Sequence, residues 1–567
     1  MSAKKRRLPV VFCWHMHQPD YRGPEGGDYQ LPWVYLHGIK DYVDMAAHLE
    51  ANPKARAVVN FVPVLLEQIA DYAAQIRRWL DTGERIGDPL LAALAGPGVP
   101  EDCYERHAVV RACRKANKTH LIDRFGHFHD LVKLSALGDE HPHYCEYYSE
   151  QYFVDLLVWY HIAWMGETVR DKDARLKALM EKSREFNQDD RRMLVTLIGE
   201  LMDAIVPRYK RLAEQGRVEL SVTPYAHPIV PLLIDFETAR EAIPDAALPE
   251  SEGYPEGEDR AVWHVERGLE VFEEFFGFRP KGCWPAEGAV STEGLELLHG
   301  SGFRWVASGQ QVLHNTLQQQ REDELPLQWP HRPYRIGDSR SCVFFRDEGL
   351  SDLIGFTYSD WHAEDAVNNF VSHLETIHAN TEEIPEAVAA IIMDGENAWE
   401  YYPGNGSYFL KALYAKLADH PLIELTTFST FLDTVPCPKE SLTGVVTGSW
   451  VYGTLSTWIG DPDKNRAWDM LVEAKETFDR VIASGRLSDE ERDDAEQQLA
   501  ICEGSDWFWW FGDYNPSDTV SDFESLYRRQ LELLYRILKE TPPAYLEEVF
   551  AHGSGEPAKG GVMRQVH

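Results

Sequence analysis

The chain carries 92 carboxylates and 22 histidines, but only a few stand in polar clusters directly after short apolar runs. One is Gly282-Cys283-Trp284-Pro285-Ala286-Glu287-Gly288. A carboxylate beside Trp and Pro at the end of an apolar run faces a concave, partly dry surface. That setting suits a nucleophilic carboxylate held close to an electrophilic carbon. Another is Met393-Asp394-Gly395-Glu396-Asn397-Ala398-Trp399-Glu400, after Ala389–Ile392. Asp394 and Glu396, two residues apart, resist double ionisation. One pKa is thereby raised, and a proton donor remains at neutral pH. Such an acid serves an oxygen that must leave as an alcohol. The same Asp-x-Glu also suits Ca²⁺ or Mg²⁺, although the spaced oxygen ligands of a calcium loop are missing. Retaining glycoside hydrolysis requires two carboxylates about 5–5.5 Å apart, one nucleophile and one acid/base. Glu287 and Asp394 are the candidates for that pair.

The third cluster is His15-Met16-His17-Gln18-Pro19, after Val10–Trp14. Two histidines at i and i+2 on a strand share a face. They suit a metal pair, a pair of hydrogen-bond partners for hydroxyl groups, or two structural residues at a turn. Metal-dependent amidohydrolases also close a first barrel strand with such a pair. A metal site needs further ligands and an open position.

These clusters need strands to position them, and the pattern supplies strands. Short continuous apolar runs at 9–14, 57–62, 218–222, 281–284, 304–306, 341–345 and 389–393 read as strands covered on both faces. Helical spacing dominates from about 63 to 215 and alternates with later strands at 262–276, 364–378 and 407–417. The alternation predicts a parallel α/β barrel, whose strand C-termini hold the active site. Beyond about 440 the segments 464–484, 487–503 and 521–539 read as amphipathic helices. The expected organisation is a barrel domain over 1–440 with a helical insertion at about 63–215. A helical domain follows over 441–552, and a frayed tail over 553–567.

Composition narrows the partners. A formal charge of −36 opposes binding to nucleic acid or an anionic membrane. No apolar run is long enough to span a bilayer. The basic Lys4-Lys5-Arg6-Arg7 precedes only a brief apolar run without a small-residue cleavage site, which argues against a signal peptide. Eight dispersed cysteines without a CxxC pair suggest neither a disulfide framework nor a zinc site. A cytoplasmic location is the expectation. The aromatic share of 12% suits stacking on sugar rings, though a large core also consumes aromatics.

Taken together, the segments resemble glycoside hydrolase family 57, which is marked by five short regions. His15–Pro19 is similar to the first region. Gly216–Leu220, continuing through Thr223-Pro224-Tyr225-Ala226-His227-Pro228, is similar to the second. Trp284–Glu287 and Asp394–Asn397 are similar to the third and fourth, and Asp506–Asp513 to the fifth. The matches occur in order from residue 15 to about 530 and so cover nearly the whole chain. The resemblance implies an incomplete (β/α)7 barrel with a C-terminal helical bundle. It implies retaining chemistry on α-glucans or maltooligosaccharides, with no cofactor and no metal.

It further assigns Glu287 as nucleophile and Asp394 as general acid/base. The expected substrate contacts are His15, His17, Gln18, Glu219, His227, Trp284, Glu396, Trp399, Trp510 and Asp513. Leu31-Pro32-Trp33, Leu36-His37-Gly38, Phe345-Arg346-Asp347, Leu350-Ser351-Asp352 and Ile354-Gly355-Phe356 resemble the amylase and amylopullulanase-like branch. Hydrolysis is therefore the expected activity. The alternatives are 4-α-glucanotransferase activity on the same scaffold and a metal-dependent hydrolase or deacetylase using His15 and His17.

Overall fold

A computed structural model describes residues 6–23, 27–136, 141–320, 328–337, 339, 341–396, 398–438 and 441–555. Lys4, Lys5, Asn397 and residues 556–567 of the expected tail lie outside the described residues.

Strands β1 (Leu8–Met16), β2 (Ala57–Phe61), β3 (Val218–Val222), β4 (Gly282–Cys283) and β5 (Trp305–Ser308) belong to one parallel sheet. So do β7 (Cys342–Phe345), β8 (Ala389–Asp394) and β9 (Ile423–Leu425). A separate two-stranded ladder pairs β6 (Arg335–Ile336) with β10 (Ser441–Leu442). The main order is β7-β5-β4-β3-β2-β1-β8, with β9 beside the first residues of β1. Seven strands sweep 237° of a barrel. The two open edges meet at one parallel bridge, Arg346 to Ala390, where Asp347 N–H donates to the Ala390 carbonyl at 2.7 Å. The architecture is an incomplete (β/α)7 barrel with helical regions.

β1 shows why the apolar runs are continuous. Val11 and Cys13 point inward and pack with Val58, Trp305, Ala390 and Ile392. Val10, Phe12, Trp14 and Met16 point outward, into the layer beneath the surrounding helices. Both faces are dry, so alternation disappears. β4 runs close against a neighbour's ring, so position 282 has room only for glycine. A Cβ on Gly282 would come within 1.8 Å of the Trp305 indole.

The chain between β2 and β3 forms a mainly helical layer that includes Pro63–Thr82, Cys103–Ala112, Glu150–Trp164 and Gln188–Glu214. After β10 come the helices Pro462–Ala483, Asp489–Cys502, Ser505–Trp510 and Ser517–Ile537. The last buries Phe523, Leu526, Tyr527, Leu531 and Leu534 along one face. Each such side chain contributes about 1.5–3 kcal/mol. Among the described residues no helix is long and apolar enough to cross a membrane.

One covalent feature departs from expectation. Cys342, at the start of β7, is disulfide-bonded to Cys437, which follows the helix Phe428–Thr434. The partners lie 95 residues apart, so spacing gives no sign of the bond. The other six cysteines are free and buried.

Candidate active site

The sheet register assembles a polar layer at the strand C-termini. His15 on β1 pairs with Asn60 on β2 and with Asp394 on β8, and Asn60 pairs with Ser221 on β3. Asn60 Nδ2 donates to Ser221 Oγ at 3.1 Å, which turns its Oδ1 toward His15 Nδ1 at 2.7 Å. His15 therefore carries its proton on Nδ1 and accepts at Nε2 from His227 Nε2–H at 3.1 Å. His227 in turn accepts at Nδ1 from the Ser505 hydroxyl at 2.7 Å. Both rings stay neutral. Burial, then the neighbouring His17, lowers His15 to about 3. Burial and the two other histidines drive His227 well below its usual value.

His17 stacks on His227 with centroids 3.8 Å apart and planes inclined by 19°. Its Nε2–H donates to Asp506 at 2.8 Å. Ser505 and Asp506 both belong to the helix Ser505–Trp510, so the C-terminal helical region completes the histidine cluster.

Donor atoms of His17, His227 and Asp506 lie within 4.8 Å of one another, which invites a test as a metal site. An ion bound to an imidazole nitrogen lies in the ring plane, at about 2.0–2.1 Å. Rings stacked at 3.8 Å and 19° have planes that meet only far outside that distance. His15 and His227 also spend both nitrogens on one another, Asn60 and Ser505. The cluster does not suit a shared ion, and of its ring nitrogens only His17 Nδ1 is left without a partner.

Glu396 lies beneath this layer, 1% exposed. Its Oε1 accepts the His17 backbone N–H at 3.1 Å and is 3.4 Å from both Gln18 Nε2 and Tyr42 Oη. Burial, and then the charge of Asp394, push its pKa well above the carboxylate range and favour its protonated form. Asp394 itself is half-buried at the end of β8.

Glu287 sits in the turn Ala286–Gly288 just after β4, with a left-handed φ of 56°. Gly288 follows with φ +60°, and a Cβ there would lie 2.6 Å from the Trp284 ring. Neighbouring left-handed residues make the sharp bend that lifts Glu287 clear of the strand. Trp450 then fixes it, donating its indole N–H to Glu287 Oε2 at 2.7 Å.

The structure thus brings His15, His17, Gln18, His227 and Glu396 into one cluster, with Asp394 in register. It puts other expected contacts elsewhere. Trp284 is fully buried, edge-on to Trp450 at 5.1 Å. Trp399 is also buried, packed against the outward-facing Trp14 with its N–H given to the Gly395 carbonyl. Neither presents a face to a ligand; both are packing residues. Glu219 lies lower in the barrel, beside Val58, and accepts from Trp305 Nε1 at 2.7 Å and Ser429 N at 2.9 Å. Its role there is to tie β3, β5 and the helix Phe428–Thr434. Trp510 stacks on Phe523 at 5.1 Å, and Asp513 is exposed beyond it. Sequence reasoning passed over Asn60, Trp450 and Ser505, and it named Asp506 only as the first residue of the fifth region. Asn60 had a signal, as the one polar residue inside the run Ala57–Val62.

The glycosyl hydrolase family 57 model matches residues 11–443. The chain belongs to that family. No curated protein sequence matches the chain significantly. Among solved structures, a family 57 branching enzyme from Thermococcus kodakaraensis is similar at TM-score 0.54 and 16% identity, over 94% of this chain and 90% of that one. The α-amylase AmyC from Thermotoga maritima is similar at TM-score 0.54 and 13% identity, over 96% and 97%. A 4-α-glucanotransferase from Thermococcus litoralis is similar at TM-score 0.51 and 14% identity, over 94% of this chain and 60% of that one. At such identities the likeness establishes the fold and leaves the reaction to the site.

Proposed function

We propose that this family 57 member is a retaining α-glucan hydrolase of the cytoplasm. Glu287 attacks the anomeric carbon while Asp394 gives its proton to the departing glycosidic oxygen. Asp394 then takes a proton from water as that water displaces Glu287 from the sugar. The observation that carries this reading is the clamp on Glu287. A strained turn and an indole N–H donor hold the carboxylate at a strand end of the histidine-lined barrel. Neutral His15 and His227 back His17 without adding charge, and His17 Nδ1 is the ring nitrogen left for a sugar hydroxyl. The similar structures include an α-amylase, branching enzymes and a glucanotransferase, which supports the substrate class.

Digests of amylose, pullulan and maltooligosaccharides test the reading. Glu287→Gln and Asp394→Asn are each expected to lose at least roughly 10³-fold in turnover while remaining folded. The wild-type product is expected to form with the anomeric configuration of the substrate. Near-normal turnover by either folded variant would sink the assignment. Products longer than a maltooligosaccharide substrate would assign the transferase reaction instead.

A further inference from the structure

The helical layer between β2 and β3 holds a cluster of donors that the glucan site does not use. Cys103 opens the helix Cys103–Ala112, which packs against the short turn Pro142–Tyr147 carrying His143 and Glu146. Cys103 Sγ lies 3.5 Å from His143 Nδ1, and Glu146 Oε1 lies 3.3 Å from that same nitrogen. Glu146 is also within hydrogen-bonding reach of the Cys103 thiol. All three donor atoms fall within 4.8 Å of one another.

His143 Nδ1 faces both the thiol and the carboxylate. One imidazole nitrogen has, in its plane, either a proton or a lone pair. His143 Nδ1 cannot accept from the thiol and donate to the carboxylate at once. A charge-assisted N–H···O bond would also be shorter, about 2.7–2.9 Å. Three donors that converge within 4.8 Å of one another are spaced as ligands of a cation. The dimensions agree. Tetrahedral zinc, with Zn–S of about 2.3 Å and Zn–N and Zn–O near 2.0–2.2 Å, separates S from N by roughly 3.6 Å and N from O by roughly 3.4 Å.

We propose that Cys103, His143 and Glu146 form a zinc site with water in the fourth position. A thiolate with imidazole and carboxylate is a borderline-soft donor set that suits zinc over magnesium or calcium. Binding replaces the thiol proton, so Cys103–SH and Zn²⁺ give a Cys103 thiolate–zinc bond and one released H⁺. The ion joins the helix Cys103–Ala112 to the turn Pro142–Tyr147, with water completing the tetrahedron. The proposal shares no residue with the glucan site and stands apart from its reading.

The test uses the full-length protein, stripped with a chelator and titrated with Zn²⁺ and Co²⁺. The wild type is expected to bind one equivalent. Its cobalt form is expected to show a thiolate charge-transfer band and the intense visible bands of tetrahedral geometry. Cys103→Ser is expected to lose the charge-transfer band, and His143→Ala, at an exposed side chain that folding tolerates, to lose stoichiometric binding. His17→Ala keeps the full equivalent, which separates this site from the histidine stack. Absence of stoichiometric metal in the wild type, or wild-type binding by both Cys103→Ser and His143→Ala, would overturn the site.

Discussion

Trp450 holds Glu287 at both ends. Its indole N–H donates to Glu287 Oε2 at 2.7 Å, and its backbone N–H donates to the Glu287 carbonyl at 3.1 Å. The ring also packs edge-on against Trp284, three residues before Glu287. A residue outside the barrel strands therefore sets both the turn geometry and the side-chain position of the proposed nucleophile.

Trp450→Phe keeps the packing ring and removes only the indole donor. A hydrogen bond to a charged group contributes about 1.5–3 kcal/mol, so kcat/KM on maltooligosaccharides is expected to fall about 10–100-fold. The lost donor favoured the ionised carboxylate, so the acid limb of the pH–rate profile is expected to move upward. An unchanged kcat/KM with an unmoved acid limb would remove Trp450 from the mechanism.

The barrel was legible because its strands are buried on both faces. All seven apolar runs became strands of the sheet, within a few residues of the expected bounds. β9 was not foreseen, since Ile423-Glu424-Leu425 pairs only with Leu8–Val10 and carries an exposed Glu. Glu287, Asp394 and the histidine pair stood out because each directly follows such a run, and the sheet places each at or just after a strand C-terminus. Trp450 did not, because its partner is 163 residues away and its loop has no pattern. Trp284 and Trp399 misled for a physical reason. Aromatic residues near a strand end serve the core as readily as a cleft, and only packing distinguishes the two.

Glu396 gives a prediction in pH. Its folded pKa lies well above the ordinary 4.5. Above pH about 4.5 the unfolded chain releases this proton and the folded protein retains it. Glu396 therefore subtracts stability as pH rises, by up to about 1.4 kcal/mol per pH unit until its folded pKa is reached. Glu396→Gln has no proton to lose. Its thermal midpoint is expected to match the wild type near pH 4 and to exceed it near pH 8. A difference that is constant across that range would mean that Glu396 is ionised in the folded protein.

The Cys342–Cys437 bond closes a long loop between β7 and the segment after Phe428–Thr434. Constraint on the unfolded chain from such a loop is expected to contribute about 2–4 kcal/mol. Cys437→Ser should lower the thermal midpoint under oxidising conditions, and reductant should lower the wild type to the same level. Equal midpoints for the oxidised wild type and the variant would show that the bond adds no stability.

Glu503 gives the last prediction. It is fully buried and accepts from Tyr254 Oη at 2.6 Å, Arg260 Nε at 2.9 Å and His264 Nε2 at 2.7 Å. Against a burial that raises its pKa, Arg260 and His264 hold it at about 2. Two and three residues later, Ser505 and Asp506 bond to His227 and His17. Glu503 thus fixes the start of the segment that the histidines lean on, acting through Asp506 and not on substrate. Glu503→Gln is expected to reduce kcat/KM about 10-fold in the wild type and to have little further effect in an Asp506→Asn background. The cost in thermal stability, by contrast, should appear in both backgrounds, because Arg260 loses its charge partner in each. Kinetic losses that multiply in the double variant would show that Glu503 and Asp506 act independently, and Glu503 would then be a stabilising residue only.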